Sequence, residues 1–169
     1  MTTPGTRRRP ATRAEARALA HPLRLRILRL CLDEALTNRE LAERLGEQPA
    51  TVLYHVRTLV RTDFLRREEE RRGRRGSREI PYRSTKKSWS LSFEADTTGH
   101  LAMVDATRSE LIEAGPEAVL DLVRMAVRLD PAVLARLERR IKRLVADADA
   151  ADGSGDESIG ILIAVHRRR

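Results

Sequence analysis

With 169 residues and 41% hydrophobic content, the chain is long enough to bury a core of its own. Its 33 basic and 25 acidic residues leave a net charge of +8, which points to a polyanionic partner such as nucleic acid or an anionic surface. The single cysteine, Cys31, excludes an intramolecular disulfide and a cysteine-rich zinc site, and the five aromatic residues are too few for a platform that stacks single strands.

The charge is unevenly placed: residues 1–90 hold 22 basic and 11 acidic side chains, whereas residues 91–169 hold 11 and 14. A basic half and an acidic half imply different tasks, the first directed at duplex nucleic acid. No apolar run serves as a signal h-region and none approaches a membrane span, so the expectation is a cytoplasmic, soluble protein.

Residues 1–12, "MTTPGTRRRPAT", have no apolar periodicity and read as a disordered basic arm. From Arg13 the pattern is helical, with Leu19, Leu23, Ile27 and Leu30 at spacings of four, four and three. Pro22 belongs in a first turn, so this stretch can be two segments. Cys31 reads as a small buried apolar residue. In "TNRELAERLG", Thr37 with Glu40 forms a capping box, Leu41 and Leu45 face inward, and Gly46 is a stop. Pro49 then opens a second helix. Two helices joined by a short turn around a glycine make a helix-turn-helix.

The second helix has two unlike faces. At about 100° per residue, Val52, Val56 and Leu59 fall on one stripe, while Ala50, Tyr54, Arg57 and Arg61 lie opposite, with Thr51 and Leu53 flanking them. In a helix-turn-helix protein the start of this helix enters the major groove, so Gln48, Ala50, Thr51, Leu53 and Tyr54 are expected at base edges and Arg57 and Arg61 near phosphates. His55 is expected near the buried side, bonded to backbone or phosphate, and not as a metal ligand.

Beyond Phe64, "LRREEERRGRRGSREIPYRST" has strand-like flanks around a loop whose glycines, 73 and 76, suit the positive φ of a hairpin turn. Pro81 argues for an edge strand. Arg71, Arg72, Arg74, Arg75 and Arg78 crowd the tip and repel one another unless a polyanion compensates them, which makes them candidate DNA contacts.

"ALAHPLRLRILRLC", "TNRELAERLGEQPATVLYHVRTLVRTDFL", the wing and the following "WSL" together resemble the winged helix-turn-helix of ArsR-type transcriptional repressors over roughly residues 14–91. The resemblance implies a dimeric repressor that reads a palindromic operator and leaves it when an effector binds, with Gln48, Thr51, Leu53 and Tyr54 facing the groove. Metal-sensing members carry a cysteine pair before the recognition helix or a histidine/carboxylate set on the last helix. Here "NRELAERLG" has no cysteine and His100 is the sole histidine between 56 and 165, so neither a metal site nor another cofactor is expected. Phe64 stands where a glycine is common at the end of the recognition helix.

In the acidic half, residues 97–114 and 116–150 read as helices, with Gly115-Pro116 and Asp130-Pro131 as starts. The stripe containing Leu134, Leu137, Ile141 and Leu144 needs a cover, either within the chain or across a homodimer. "DGSGDES" reads as a flexible joint, and "IGILIAVH" as a strand pairing with "SWSLSF", in a small sheet that forms a core or encloses an organic effector.

The expected fold is therefore mainly α with a small β wing: an arm at 1–12, a winged helix-turn-helix domain at 13–93, a helical dimerisation region at 94–151, and a joint with a C-terminal strand at 152–169. The expected function is sequence-specific binding of double-stranded DNA at an inverted-repeat operator by a homodimeric transcriptional regulator. The alternatives are a sequence-neutral DNA-coating protein and an enzyme acting on a nucleic acid or nucleotide. The sequence has no phosphate-cradling glycine loop, paired histidines or nucleophile motif that would serve the enzyme.

Overall fold

A computed structural model describes residues 9–73, 78–92 and 97–167. The chain divides into two compact units, one spanning Thr6–Pro116 and the other including Glu117–Arg169.

The larger unit is a winged helix-turn-helix. It runs β1 (Arg9–Pro10), α1 (Arg13–Leu19), α2 (Pro22–Asp33), β2 (Leu36–Thr37), α3 (Asn38–Leu45), α4 (Pro49–Arg61), β3 (Leu65–Arg67), β4 (Arg71–Arg72), β5 (Arg78–Glu79), β6 (Pro81–Ser84), a 3-10 turn at Lys87–Ser90, β7 (Leu91–Ser92) and α5 (Thr97–Ala114). Its core gathers one face of each helix. Ile27 and Cys31 of α2, Leu41 of α3, and Val52, Val56 and Leu59 of α4 are buried together with Leu36, Phe64, Leu65 and Leu91.

Local sequence explains the helix ends. Thr12 and Glu15 form a capping box at α1, and Thr37 and Glu40 another at α3. Pro22 and Pro49 open α2 and α4, where a missing N–H costs nothing. Gly46 closes α3 in the left-handed region, at φ +66°. At the end of α4 the left-handed residue is Asp63 (φ +58°), which frees Phe64 to turn into the core, where it is 1% exposed.

The sheet differs from expectation at Pro81. β6 is the central strand, antiparallel to β2 on one side and β3 on the other. Proline is accommodated because it is the first residue of β6; its carbonyl still accepts from the Glu68 N–H at 2.9 Å. Gly73 does not take a positive φ, and Gly76 lies outside the described residues.

Four further expectations change. Residues 9–12 of the arm are ordered: Arg9 and Pro10 pair in parallel with Leu91 and Ser92, and Arg9 grips the buried Glu15 carboxylate at 2.6 and 2.9 Å. Lys87 reaches the same carboxylate at 2.9 Å. The helix over 97–114 packs against α1 and α2, with Ala102 and Ala106 buried and Glu113 paired to Arg26, so the compact unit continues past residue 93. Within "SWSLSF", residues 88–92 do not alternate as a strand, since Trp89 lies in the 3-10 turn and only Leu91–Ser92 of them is extended, while Phe93 lies outside the described residues. Its expected partner, residues 159–166, has no regular structure and stays largely exposed; β7 is bonded to β1 instead.

Past α5, Pro116–Ala118 is a single 3-10 turn and residues 119–130 have no regular structure, where a helix was expected. A helix gains most of its stability from burying an apolar face, and here Leu120, Leu122, Val123 and Met125 are all more than two-thirds exposed. Pro131 also disfavours helical geometry in the residue before it. The expected helix does form over α6 (Pro131–Ala150), capped by Asp130, whose carboxylate accepts from the Val133 N–H at 2.9 Å. Leu134, Leu137 and Ile141 are half-buried along it and Leu144 is exposed.

Candidate nucleic-acid interface

α3, the turn at 46–48 and α4 form the core of the site. Beyond Gly46, the Glu47 N–H returns to the Ala42 carbonyl at 3.0 Å, and the Asn38 side-chain amide donates to the Pro49 carbonyl at 3.0 Å. That bond ties the start of α3 to the start of α4. The C-terminal end of α4 is fixed from outside by Lys87, which donates to the Thr62 carbonyl at 2.8 Å.

α4 therefore presents one face. Val52, Val56 and Leu59 are wholly buried, whereas Tyr54 is 66% exposed. Gln48, Ala50, Thr51, Arg57 and Arg61 are exposed beside it, and Leu53 is half-buried at the flank. Gln48 is the N-cap residue but makes no capping bond with its side chain, and the first turn contains no acidic residue. The outward face is thus polar and aromatic at its start and cationic towards its C-terminal end, with no acidic residue on the helix itself. It suits a phosphate-flanked groove.

His55 is buried, and the contacts it makes among the described residues are with side chains rather than with backbone. Its ring lies 4.4 Å from that of His21, and its Nδ1 is 3.5 Å from an Arg24 guanidinium nitrogen. Burial, with the charges of His21 and Arg24, pushes the His55 pKa down to about 4; burial and Arg24 also lower that of His21. Arg24 is itself anchored by donating to the Ala18 and Arg17 carbonyls. Sequence spacing carried no signal of this cluster, because His55 on α4 meets His21 and Arg24 at the start of α2 only in the fold.

The wing residues have unlike surroundings. Arg72 is exposed and Arg78 is 84% exposed, within 3.8 Å of Glu70. Arg71 instead places its guanidinium on Glu40 of α3, with distances of 2.6 and 2.7 Å to the two carboxylate oxygens. Arg74 and Arg75 lie outside the described residues. Among the described residues no group of three or more His, Cys, Asp or Glu side chains is placed to hold a metal ion. None of the described helices is long and apolar enough to cross a membrane.

Residues 19–68 match a family model described as a helix-turn-helix domain. No curated protein matches the chain. Among solved structures, it is similar to reduced HlyU from Vibrio cholerae N16961, with 20% identity over 54% of this chain and 80% of that one, and a TM-score of 0.36. The transcriptional repressor BigR from Xylella fastidiosa is 20% identical over 54% and 76% of the two chains, with a TM-score of 0.34. The S. aureus MepR–DNA complex is 18% identical over 79% and 80%, with a TM-score of 0.29. The matched domain, with its wing and its carboxylate-free outward helix face, is of the kind DNA-binding transcriptional regulators use.

Proposed function

We propose that the chain is a sequence-specific regulator of transcription that binds double-stranded DNA as a cytoplasmic homodimer of the ArsR type, repressing until an effector releases it. The observation that carries this reading is the division of α4: three wholly buried residues on one side and, on the other, an exposed tyrosine between Thr51 and two exposed arginines. Tyrosine, threonine and arginine side chains all donate to phosphate oxygens, so together on one outward helix face they suit a duplex. In this reading Gln48, Ala50, Thr51, Leu53 and Tyr54 meet base edges, while Arg57 and Arg61 meet phosphates. Arg72, Arg74, Arg75 and Arg78 add backbone contacts from the wing. The Leu134, Leu137, Ile141 and Leu144 stripe joins two copies.

The test is a footprint on genomic DNA fragments recovered with the protein. Discrete protection over an inverted repeat is expected. Uniform coverage would replace this reading with that of a sequence-neutral coating protein.

A further inference from the structure

The wing hairpin carries two successive cross-strand rungs of different character. In the first, Arg71 of β4 is paired with Glu79 of β5; in the second, Arg72 is paired with Arg78. Side chains alternate between faces along a strand, so the two rungs point opposite ways.

The first rung reaches α3. Arg71 meets both carboxylate oxygens of Glu40, at 2.6 and 2.7 Å. Across the hairpin, Glu79 lies 3.8 Å from the guanidinium of Arg39, the neighbour of Glu40 on the helix. A rung of opposite charges thus faces two adjacent residues of α3 with the complementary order of charge. Both ends are held in place. The Glu40 carboxylate also accepts from the Thr37 N–H and hydroxyl at 2.8 and 2.9 Å, and Arg39 is 3.5 Å from Glu43. Gly73 makes the arrangement possible, because a Cβ there would lie 2.2 Å from the Glu79 carboxyl carbon. A larger residue would displace the Glu79 side chain.

The second rung sets two like charges opposite each other, which is unfavourable in an isolated hairpin and favourable against a polyanion. Among the described residues no ion pair offsets Arg72, and the ion pair of Arg78 with Glu70 spans 3.8 Å.

We propose that Arg71 and Glu79 are positioning residues, which with Glu40 and Arg39 clamp the wing onto α3 so that the adjacent Arg72–Arg78 rung meets the DNA backbone. The claim rests on the DNA-binding reading for what the clamp serves, and on the rungs alone for its existence.

Two measurements on the full chain test it. In salt titrations of binding to the footprinted duplex, Arg72→Ala and Arg78→Ala should each make the log–log slope shallower by about 0.9. Arg71→Ala should weaken binding several-fold with the slope unchanged. Glu40→Gln should match it, since glutamine preserves the capping box while removing the charge. The second measurement needs no DNA: nitroxide labels on Glu69→Cys and Glu47→Cys, both exposed positions, report the distance from the wing to the turn. Cys31 does not compete for label, being fully buried with its thiol pushed up to about 12 by that burial. The distance distribution should broaden in Arg71→Ala and Glu40→Gln. An unchanged distribution, or a slope loss for Arg71→Ala equal to that for Arg72→Ala, overturns the clamp. Failure of the wild-type chain to bind any duplex would sink the function and leave the clamp to be decided by the labels.

Discussion

Tyr54 and His55 are consecutive on α4 and their rings meet edge-on at 5.2 Å, yet one is 66% exposed and the other 6%. The pair marks the line where the helix passes from core to interface. Truncating Tyr54 removes one edge-on contact with buried His55 and opens no cavity, so Tyr54→Ala should lower folding stability by no more than about 1 kcal/mol. Its effect on specific DNA binding should be a loss of about 1–3 kcal/mol, as for Thr51→Ala, with non-specific binding nearly unchanged. Competition between the operator and random duplexes measures both; equal losses on both would remove these residues from base contact.

His55, on the other side of that line, predicts how stability depends on pH. Its pKa is about 4 in the folded chain against 6.5 ordinarily, and that of His21 is lowered as well. As pH falls through 6.5 the unfolded chain takes up protons that the folded chain refuses, so stability is full above that value and declines towards pH 4. Glu15 extends the loss. The bond from Arg9, opposed by burial and aided by Thr12 and Lys87, holds its carboxyl well below the usual carboxylate range, so its contribution is present above about 4.5 and fades below it. Thermal melts from pH 7 downward should show the midpoint falling in both ranges. His55→Gln should flatten the upper range only, and a parallel curve for that variant would refute the assignment.

The elements read most readily from the sequence were those specified locally. The capping box of Thr37 and Glu40, the proline at 49 and the glycine at 46 each act within a few residues, and all hold in the fold. What sequence spacing misplaced depended on partners. Pro81 pointed to an edge strand, whereas β6 is central, a place set by β2, which is only two residues long. The apolar periodicity of residues 119–130 and the apolar run at 159–166 measured a tendency to bury surface without naming what would cover it. Their exposure is the result. For the interface, angles around α4 separated Tyr54 from Val52 correctly, because a helical wheel is local geometry. The bond from Arg71 to Glu40 was hidden, since 31 residues separate the two.

Gly46 offers a test of the turn itself. Its φ is +66° and no atom lies within 4 Å of where a Cβ would stand, so substitution there costs backbone strain and nothing steric. Gly46→Ala should destabilise by about 1–2 kcal/mol, and Gly46→Asn by less, because asparagine visits the left-handed region more readily. Denaturant unfolding measures the difference. Equal stabilities of alanine variant and wild type would show that the turn relaxes.

Dimerisation is the prediction with the widest consequence. One recognition helix contacts only a few base pairs, too few to single out a site among many competitors, whereas a twofold pair doubles the sequence read. Such a dimer would set two α4 helices about 34–36 Å apart on an inverted repeat. The proposed contact is the α6 stripe, on which Leu134, Leu137 and Ile141 are only half-buried and Leu144 is 54% exposed in the single chain. Cutting the chain to test this must respect the fold: a chain ending at residue 93 would uncover the surface of α1 and α2 that Ala102 and Ala106 of α5 pack against, so the cut belongs at Pro116. Sedimentation at micromolar concentration should give a dimer for the full chain and a monomer for residues 1–116. Leu137→Asp with Ile141→Asp in the full chain should give a monomer too, and should abolish operator binding while leaving the melting midpoint of the Thr6–Pro116 unit in place. A monomeric full chain would refute the dimer outright. A dimer of residues 1–116 would move the contact to the outward face of α5, where Leu101 is 58% and Ile112 68% exposed.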